Sequence, residues 1–330
     1  MSVESRVAEL LRRLELGTLI EPPRPVRGGL LHKLYRAVTE EGAYAVKALN
    51  PEIMARPHAL DNMRNSERAA AAFSSLVPAI AALELNGARV HELAGRYYTV
   101  YRWADGQSIF PPEITAAHCA AIGDILGRMH RAHLTAEGIS PERPSMPDFD
   151  WAGTLRQAKS VGPERAWLMR FEAALDDLNA WSAATRAAMG GLSDAPVISH
   201  RDLDPKNVLW HGMEPMVIDW EAAGYVDPRL ELLEVILYWA DDARGGLTRS
   251  LFAALTTAYA RHFPLDSSWA AVLQAGRAGT LAWLAYNLRR AMGHVSQDAG
   301  EILLGESQVL ETLDALYAYD SKIATLKMWL

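Results

Sequence analysis

A stretch near residue 200 combines residue types that transfer phosphoryl groups. It reads His-Arg-Asp-Leu-Asp-Pro-Lys-Asn over residues 200–207, and Asp219 follows twelve residues after Asn207. Phosphoryl transfer needs one carboxylate that accepts the proton of the attacking hydroxyl. It also needs an amide oxygen and a second carboxylate that hold the magnesium ions neutralising the triphosphate. Asp202, Asn207 and Asp219 supply that set in this order.

The elements around these residues explain how they meet. Three short β-like segments with polar loops between them lie at 197–198, 208–209 and 216–218. Their spacing predicts a tight hairpin that brings the three polar side chains to one edge. Lys47, in Tyr44-Ala45-Val46-Lys47, adds a cation on an earlier strand. The alternative takes the polar residues as turn formers and Lys47 as a solvated strand residue. The ordered presence of all four parts favours phosphoryl transfer.

The rest of the chain divides into a β-rich first third and a helical remainder. Residues 23–49 predict a small antiparallel sheet, 58–76 a helix and 97–103 a strand that ends at Ala104-Asp105-Gly106. Helices are predicted at 113–134, at 164–190 and from Leu230 to the end of the chain. This pattern indicates an α+β arrangement, with a small N-terminal lobe over residues 1–104 and a larger C-terminal lobe over 105–330.

Composition excludes several classes of protein. Cys119 is the single cysteine, which rules out an intramolecular disulfide and suits a reducing cytosol. No apolar run is long enough to span a bilayer and no secretory signal is present, so we expect a cytoplasmic protein without a membrane or an evident protein partner. Residues 1–105 carry 14 Lys plus Arg against 12 Asp plus Glu, and the remainder carries 19 against 28. The net charge of −9 over residues 106–330 argues against nucleic acid as a binding partner and is compatible with a cationic small molecule as the substrate.

The chain resembles the aminoglycoside phosphotransferase family, whose kinase-like fold is shared with choline kinases and, more remotely, protein kinases. The segments that carry the resemblance are Gly28-Gly29 with residues 31–36, residues 45–47, 103–106, 126–130 and 224–228. They extend over nearly the whole chain. The resemblance implies a two-lobed protein-kinase-like fold that binds Mg²⁺ and ATP or GTP.

The resemblance also implies roles for particular residues. Asp202 is the catalytic base, Asn207 and Asp219 are the metal ligands, and His200 holds the catalytic loop through its ring. The implied nucleotide-binding residues are Gly28, Gly29, Lys47, Glu67, Arg102 and Ala104. Among these, Lys47 contacts the α- and β-phosphates with Glu67 as its ion-pair partner, and the backbone around Arg102 and Ala104 binds adenine.

Departures from protein kinases indicate the type of acceptor. Trp220-Glu221 replaces Phe-Gly after the metal Asp, and Asp204 stands where protein kinases have a lysine that steadies the γ-phosphate. Asp227-Pro228 follows Asp219 within nine residues and leads directly into a predicted helix. This leaves no room for an activation segment. The pattern therefore favours a small-molecule acceptor over a protein.

Several residues are candidates for binding that acceptor. They are Asp204, Glu234, Asp241, Asp242 and Trp283. The carboxylates predict a cationic acceptor, with an antibiotic such as an aminoglycoside as the leading candidate and antibiotic resistance as the role. One alternative is a metabolic kinase acting on choline, another amino alcohol, a sugar or a vitamin precursor. The alternative from another class is a catalytically inactive nucleotide-binding module.

Overall fold

The computed structural model describes residues 3–26, 32–135, 138–139, 145–161, 165–192, 195–265 and 268–330. The helices are α1 Val3–Arg13, α2 Pro51–Met54, α3 Ala59–Phe73, α4 Ala116–Ala132, α5 Trp151–Val161, α6 Ala166–Ala173, α7 Leu175–Met189, α8 Pro228–Trp239, α9 Arg249–Ala260, α10 Ala270–Ala275, α11 Ala278–Ala291 and α12 Ala299–Lys327. The strands are β1 Arg24–Val26, β2 Lys33–Thr39, β3 Gly42–Ala48, β4 Val90–Leu93, β5 Arg96–Arg102, β6 Val197–Ser199, β7 Val208–His211, β8 Glu214–Val217 and β9 Gly224–Val226.

The chain forms two compact units. The first comprises residues 1–110, 128–140 and 198–225, and the second comprises 111–127, 141–197 and 226–330. The first unit thus contains the 200–219 stretch, which a single cut at residue 105 would assign to the C-terminal lobe. Its hairpin explains this, because Val217 makes a parallel bridge to Ala79 and Trp210 an antiparallel bridge to Gln107.

A five-stranded antiparallel sheet organises the first unit, in the order β1-β2-β3-β5-β4. The turn between β2 and β3 ends at Gly42, whose φ of 138° suits glycine. In β3, Tyr44 and Val46 alternate with more exposed residues and are buried, as expected for a strand with one face on a core. They pack in one cluster with Val7 and Leu10 of α1. Alternation places Lys47 on the opposite face from that cluster.

The regular structure of the second unit is helical in its described residues, except for Val197 of β6 and Val226 of β9. Its apolar core combines residues of α5, α6, α7, α11 and α12, including Trp151, Phe171, Leu284 and Leu313. The α11 and α12 helices approach closely at Gly305, where an added Cβ would lie 2.6 Å from the Ala291 backbone nitrogen. The small residue there allows a tight helix crossing.

Several predicted elements agree with the structure and several differ. The helix predicted over 164–190 is two helices, α6 and α7, which meet at Ala174. Strand β4 and helix α5 are not among the predicted elements. Among the described residues, no helix combines the length and the hydropathy that crossing a bilayer requires.

Candidate active site

The loop from Asp202 to Asn207 folds back on itself. Asp204 begins a short 3₁₀ turn over Pro205–Asn207 and accepts a hydrogen bond from the Lys206 N–H at 2.8 Å. The Asn207 side-chain amide donates to both the Asp202 carbonyl and Asp202 Oδ2, each at 2.8 Å. Partial burial raises the pKa of Asp202, although the cationic neighbour Lys206 opposes that shift. The carboxylate is therefore oriented, with 36% of its side chain exposed.

His200 fixes the start of this loop. The ring is fully buried, and its Nδ1 accepts from the Asp202 N–H at 3.2 Å. Because Nδ1 accepts, the proton of the neutral ring is on Nε2, which donates to the Ile218 carbonyl at 3.0 Å. The ring also packs edge-on against Trp220, with 4.7 Å between centroids. One imidazole thus connects the Asp202 loop with the segment that carries Asp219.

Asp219 follows the hairpin strand β8 in an unusual backbone conformation. Its φ of 60° and ψ of 62° lie in the left-handed region, which Asp and Asn tolerate better than most residues. The Ile218 N–H donates to the Asn207 carbonyl at 2.9 Å, so a backbone hydrogen bond joins Asn207 to the residue that precedes Asp219. The predicted hairpin therefore brings Asp202, Asn207 and Asp219 together.

Lys47 reaches the same place from strand β3. Its Nζ lies 2.7 Å from Asp219 Oδ1 and 3.3 Å from Glu221 Oε2, with 13% of the side chain exposed. Burial disfavours the ammonium, but the two carboxylates outweigh it and raise the pKa of Lys47. The lysine is therefore a fixed cation beside the Asp219 carboxylate.

Glu221 has a second partner that the sequence patterns did not indicate. His32 accepts from the Asn50 N–H at Nδ1 (3.0 Å), and its Nε2 lies 3.1 Å from Glu221 Oε2. Burial opposes the charge of Glu221, yet the hydrogen bond from His32 and the charge of Lys47 hold the pKa of this carboxyl below its usual range. Glu221 is thus a second carboxylate, two residues after Asp219.

Glu67 differs from its expected arrangement as the ion-pair partner of Lys47. Its carboxylate accepts from the Tyr101 hydroxyl and from the Ala82 N–H, the latter at 2.8 Å. Burial raises the pKa of Glu67. Lys47 is bonded to Asp219 and Glu221 instead, because these carboxylates are more exposed than Glu67 and cost less to keep ionised.

The oxygen atoms here fit a magnesium ion that also has phosphate ligands. Within the described residues, no group of three or more His, Cys, Asp or Glu is arranged to hold a metal. Mg²⁺ is commonly bound by one or two carboxylates together with water and substrate phosphates, so a complete protein cage is not required. Asn207 donates through Nδ2, which leaves Oδ1 as its ligating atom. Asn207 and Asp219 are thus a suitable donor pair.

The predicted adenine-binding segment lies at the end of β5. Arg102 pairs with Tyr44 across the sheet and donates to its hydroxyl at 3.2 Å. The next N–H, of Trp103, donates to the Ala43 carbonyl at 3.0 Å, and half-buried Ala104 follows. The predicted loop residues Gly28 and Gly29 lie outside the described residues.

The acidic candidates for acceptor binding, other than Asp204, belong to the second unit. Glu234 is half-buried on α8. Asp241 accepts from the Ala243 N–H and pairs with Lys322. Asp242 accepts from the backbone N–H groups of Arg244 and Gly246, which lower the pKa of Asp242. Asp241 and Asp242 are therefore engaged in contacts within their own unit.

Trp283 is half-buried on α11 and belongs to an aromatic pair. Its ring stacks on Tyr286 with 5.4 Å between centroids and 19° between planes. The indole N–H donates to Gln308 Oε1 at 3.2 Å. The pair offers a flat apolar surface with its polar atom already bonded.

Comparison with known proteins decides the family. The model of a family described as "Phosphotransferase enzyme family" matches residues 23–265. The chain belongs to this family. The expected family and enzyme class are thereby confirmed. A homoserine kinase from Gluconacetobacter diazotrophicus is 26% identical over 231 residues, which are 66% of this chain and 65% of that kinase. The match thus spans slightly less than two thirds of that relative.

Solved structures agree on the fold of this phosphotransferase-family chain. A spectinomycin phosphotransferase in complex with ADP and spectinomycin matches with a TM-score of 0.69 at 13% identity, over 96% of this chain and 98% of that one. An amicoumacin kinase in complex with AMP-PNP, Ca²⁺ and Ami matches with a TM-score of 0.58 at 17% identity, over 95% of this chain and 96% of that one. These matches confirm the predicted α+β kinase-like fold class.

Sequence reasoning missed three side chains in the site of this family member. Glu221 departs from the Phe-Gly of protein kinases, and a second carboxylate two residues after Asp219 is itself a signal. Lys206 stands four residues after Asp202, a spacing that allows contact across one turn. For His32, nothing in the local pattern indicates a contact with Glu221, which is distant in sequence.

Proposed function

We propose that the chain is a Mg²⁺- and nucleoside-triphosphate-dependent O-phosphotransferase acting on a hydroxyl of a small molecule. The observation that carries this proposal is the convergence of an oriented Asp202, an Asn207–Asp219 pair and a buried Lys47 within one unit. These are the parts that phosphoryl transfer needs. An inactive nucleotide-binding module has no need for an oriented base.

The proposed reaction follows from the positions of these groups. The acceptor hydroxyl oxygen forms a bond to the γ-phosphorus as the bond from that phosphorus to the bridging oxygen breaks. The hydroxyl proton passes to Asp202, and the nucleoside diphosphate leaves. Mg²⁺, held by Asn207 and Asp219, would neutralise negative charge on the phosphates.

The nucleotide, ATP or GTP, is assigned to the surface that Lys47 shares with the end of β5. Lys47 would contact the α- and β-phosphates, and the backbone at Arg102 and Ala104 would bind the base. Glu67 lies close enough to Lys47 for its charge to favour the ammonium, which supports an auxiliary role. We place the reaction in the cytoplasm, where nucleoside triphosphates and Mg²⁺ are abundant.

Two acceptor classes fit the proposal. The first is a cationic antibiotic such as an aminoglycoside, which the charge of −9 over residues 106–330 supports, and whose phosphorylation would confer resistance. The second is a small metabolite that carries a hydroxyl and an amino group, and the 26% identity to a homoserine kinase over 66% of the chain supports it. Asp241 and Asp242, already bonded, add less support to a polycation than the sequence alone suggested.

A transfer screen tests both classes. Nucleoside diphosphate release and phosphorylated product would be measured with aminoglycosides, peptide antibiotics, macrolides, choline, ethanolamine and homoserine, with Asp202→Ala as the control. Phosphorylation of one class by the wild type and not by the variant would support the proposal. The proposal would be refuted if the wild type phosphorylated none of these compounds and also showed no Mg²⁺-dependent nucleotide binding.

A further inference from the structure

The loop that carries the base also holds a cation beside it. Lys206 Nζ lies 3.4 Å from Asp202 Oδ1 and 3.6 Å from Asp204 Oδ2, and 46% of the side chain is exposed. The ammonium is thus next to the oxygen of the base that Asn207 does not bond, since Asn207 donates to Oδ2.

The loop fixes the backbone from which this ammonium projects. The Lys206 N–H donates to Asp204 Oδ1 at 2.8 Å, and its carbonyl accepts from Ser108 Oγ at 3.2 Å. Pro205 begins the 3₁₀ turn and restricts the backbone further. The four-residue separation then returns Nζ to Asp202. The contacts with Asp202 and Asp204 then keep the ammonium beside the base.

The negative charges around the base require a nearby cation, and the Lys206 ammonium is positioned to supply it. Asp202 and Asp204 together carry two negative charges, and a γ-phosphoryl group brought to the base adds more. A phosphoryl group close enough to react beside these two carboxylates would be strongly repelled by them in a partly desolvated site. The residue two positions after the base cannot relieve the repulsion, because Asp204 is itself an acid. Lys206, two residues after Asp204, carries the required positive charge and lies beside Asp202.

We propose that Lys206 is a catalytic residue whose ammonium contacts the oxygens of the phosphoryl group during its transfer to the acceptor. The inference rests on the proposed phosphotransferase function and adds a residue to it. Lys206 forms and breaks no covalent bond and keeps its proton. It stabilises charge on the phosphoryl oxygens while the hydroxyl proton passes to Asp202. Asp204 then serves as the acid that holds Lys206, rather than as an acceptor ligand.

Replacing Lys206 tests whether its ammonium stabilises the transition state of transfer more than it contributes to nucleotide binding in the ground state. Lys206→Met should lower kcat by about 10²–10³-fold, the usual loss when one group that stabilises transition-state charge is removed. The Kd of the AMP-PNP–magnesium complex, measured by titration calorimetry, should change by less than about threefold, because Lys47 binds the other phosphates. Lys206→Arg should recover most of kcat. Lys159→Met is the matched control, since Lys159 is 48% exposed and pairs with Glu172 in the second unit.

A planar phosphoryl mimic distinguishes direct contact from mere support of Asp202. With ADP, magnesium and aluminium fluoride, Lys206→Met should bind at least about tenfold more weakly than the wild type, although AMP-PNP binding is kept. A residue that only positions Asp202 would leave this affinity unchanged, and that result would overturn the proposal. Wild-type kcat in Lys206→Met would overturn it as well. Thermal unfolding of each variant identifies loss of fold, in which case Lys206→Arg is compared. A wild type that is inactive with every acceptor and does not bind the magnesium–nucleotide complex would instead refute the proposed function.

Discussion

Replacing Asp202 by Asn should abolish most of the activity and leave the fold nearly unchanged. The Asn207 amide at 2.8 Å and Lys206 at 3.4 Å hold the carboxylate, so its loss removes the proton acceptor from an otherwise intact loop. General-base catalysis contributes about 10²–10⁴-fold, which corresponds to roughly 2.7–5.4 kcal/mol of barrier. Lys206 keeps Asp204 at 3.6 Å as a partner, and Asp202 is 36% exposed. The free energy of unfolding should therefore change by less than about 1 kcal/mol.

The assay couples diphosphate release to NADH oxidation and is combined with urea unfolding. Asp314→Asn is the control, since Asp314 is an exposed acid paired with Arg170 in the second unit. Burial raises the pKa of Asp202, and the base must be ionised. Wild-type kcat/KM should therefore fall on acidification through a pKa above the usual aspartate range, and this limb should vanish in the variant. Retention of more than about a tenth of kcat, or an equal loss of nucleotide affinity, would refute the reasoning.

The remaining predictions concern the cluster around Lys47. Asp219→Asn keeps a residue that tolerates φ of 60°, so calorimetry should show at least about tenfold weaker binding of the magnesium–nucleotide complex without loss of fold; unchanged affinity would place the metal elsewhere. Lys47→Met should raise the nucleotide KM by at least about tenfold in the coupled assay, whereas Glu67→Gln should raise it less, because Tyr101 and Ala82 already bond Glu67. A lack of effect in Glu67→Gln would remove Glu67 from the nucleotide site. The pKa of Glu221 is lowered, so its stabilising effect is present above the unfolded-state pKa near 4.5 and is lost as pH falls towards the folded value. Glu221→Gln should therefore show a smaller drop in Tm than the wild type on acidification below pH about 4.5; parallel Tm profiles would contradict this.

The parts of the site that depend on local spacing could be predicted from the sequence. The hairpin follows from two short β segments joined by a polar loop, and the hydrogen bond from the Ile218 N–H to the Asn207 carbonyl holds Asn207 next to the segment of Asp219. The αL conformation of Asp219 and the partner of Lys47 could not be predicted. The partner of Lys47 depends on which of the neighbouring carboxylates costs least to keep ionised, a difference in desolvation energy that residue types do not encode.

The same limit applies to the larger fold. Helices α4 and α7 have apolar periodicity and were expected, whereas the break at Ala174 depends on packing in the second unit. The assignment of residues 198–225 to the first unit likewise depends on long-range bridges such as Val217 to Ala79. Pairings of this kind are set by tertiary contacts and leave little trace in a local pattern.

The charges around Lys47 explain why a divalent cation suits this site better than a triphosphate alone. Asp219 and Glu221 each carry a negative charge and Lys47 carries one positive charge, so these three side chains together have a net charge of −1. A bare triphosphate would meet that excess negative charge beside the one lysine. Asn207 and Asp219 would hold a divalent cation here, and its two positive charges would reverse the sign of the cluster that meets the phosphates. On the proposed function, the second carboxylate, Glu221, would make nucleotide binding depend more strongly on the metal, and it would keep the ammonium of Lys47 paired when Asp219 binds that metal.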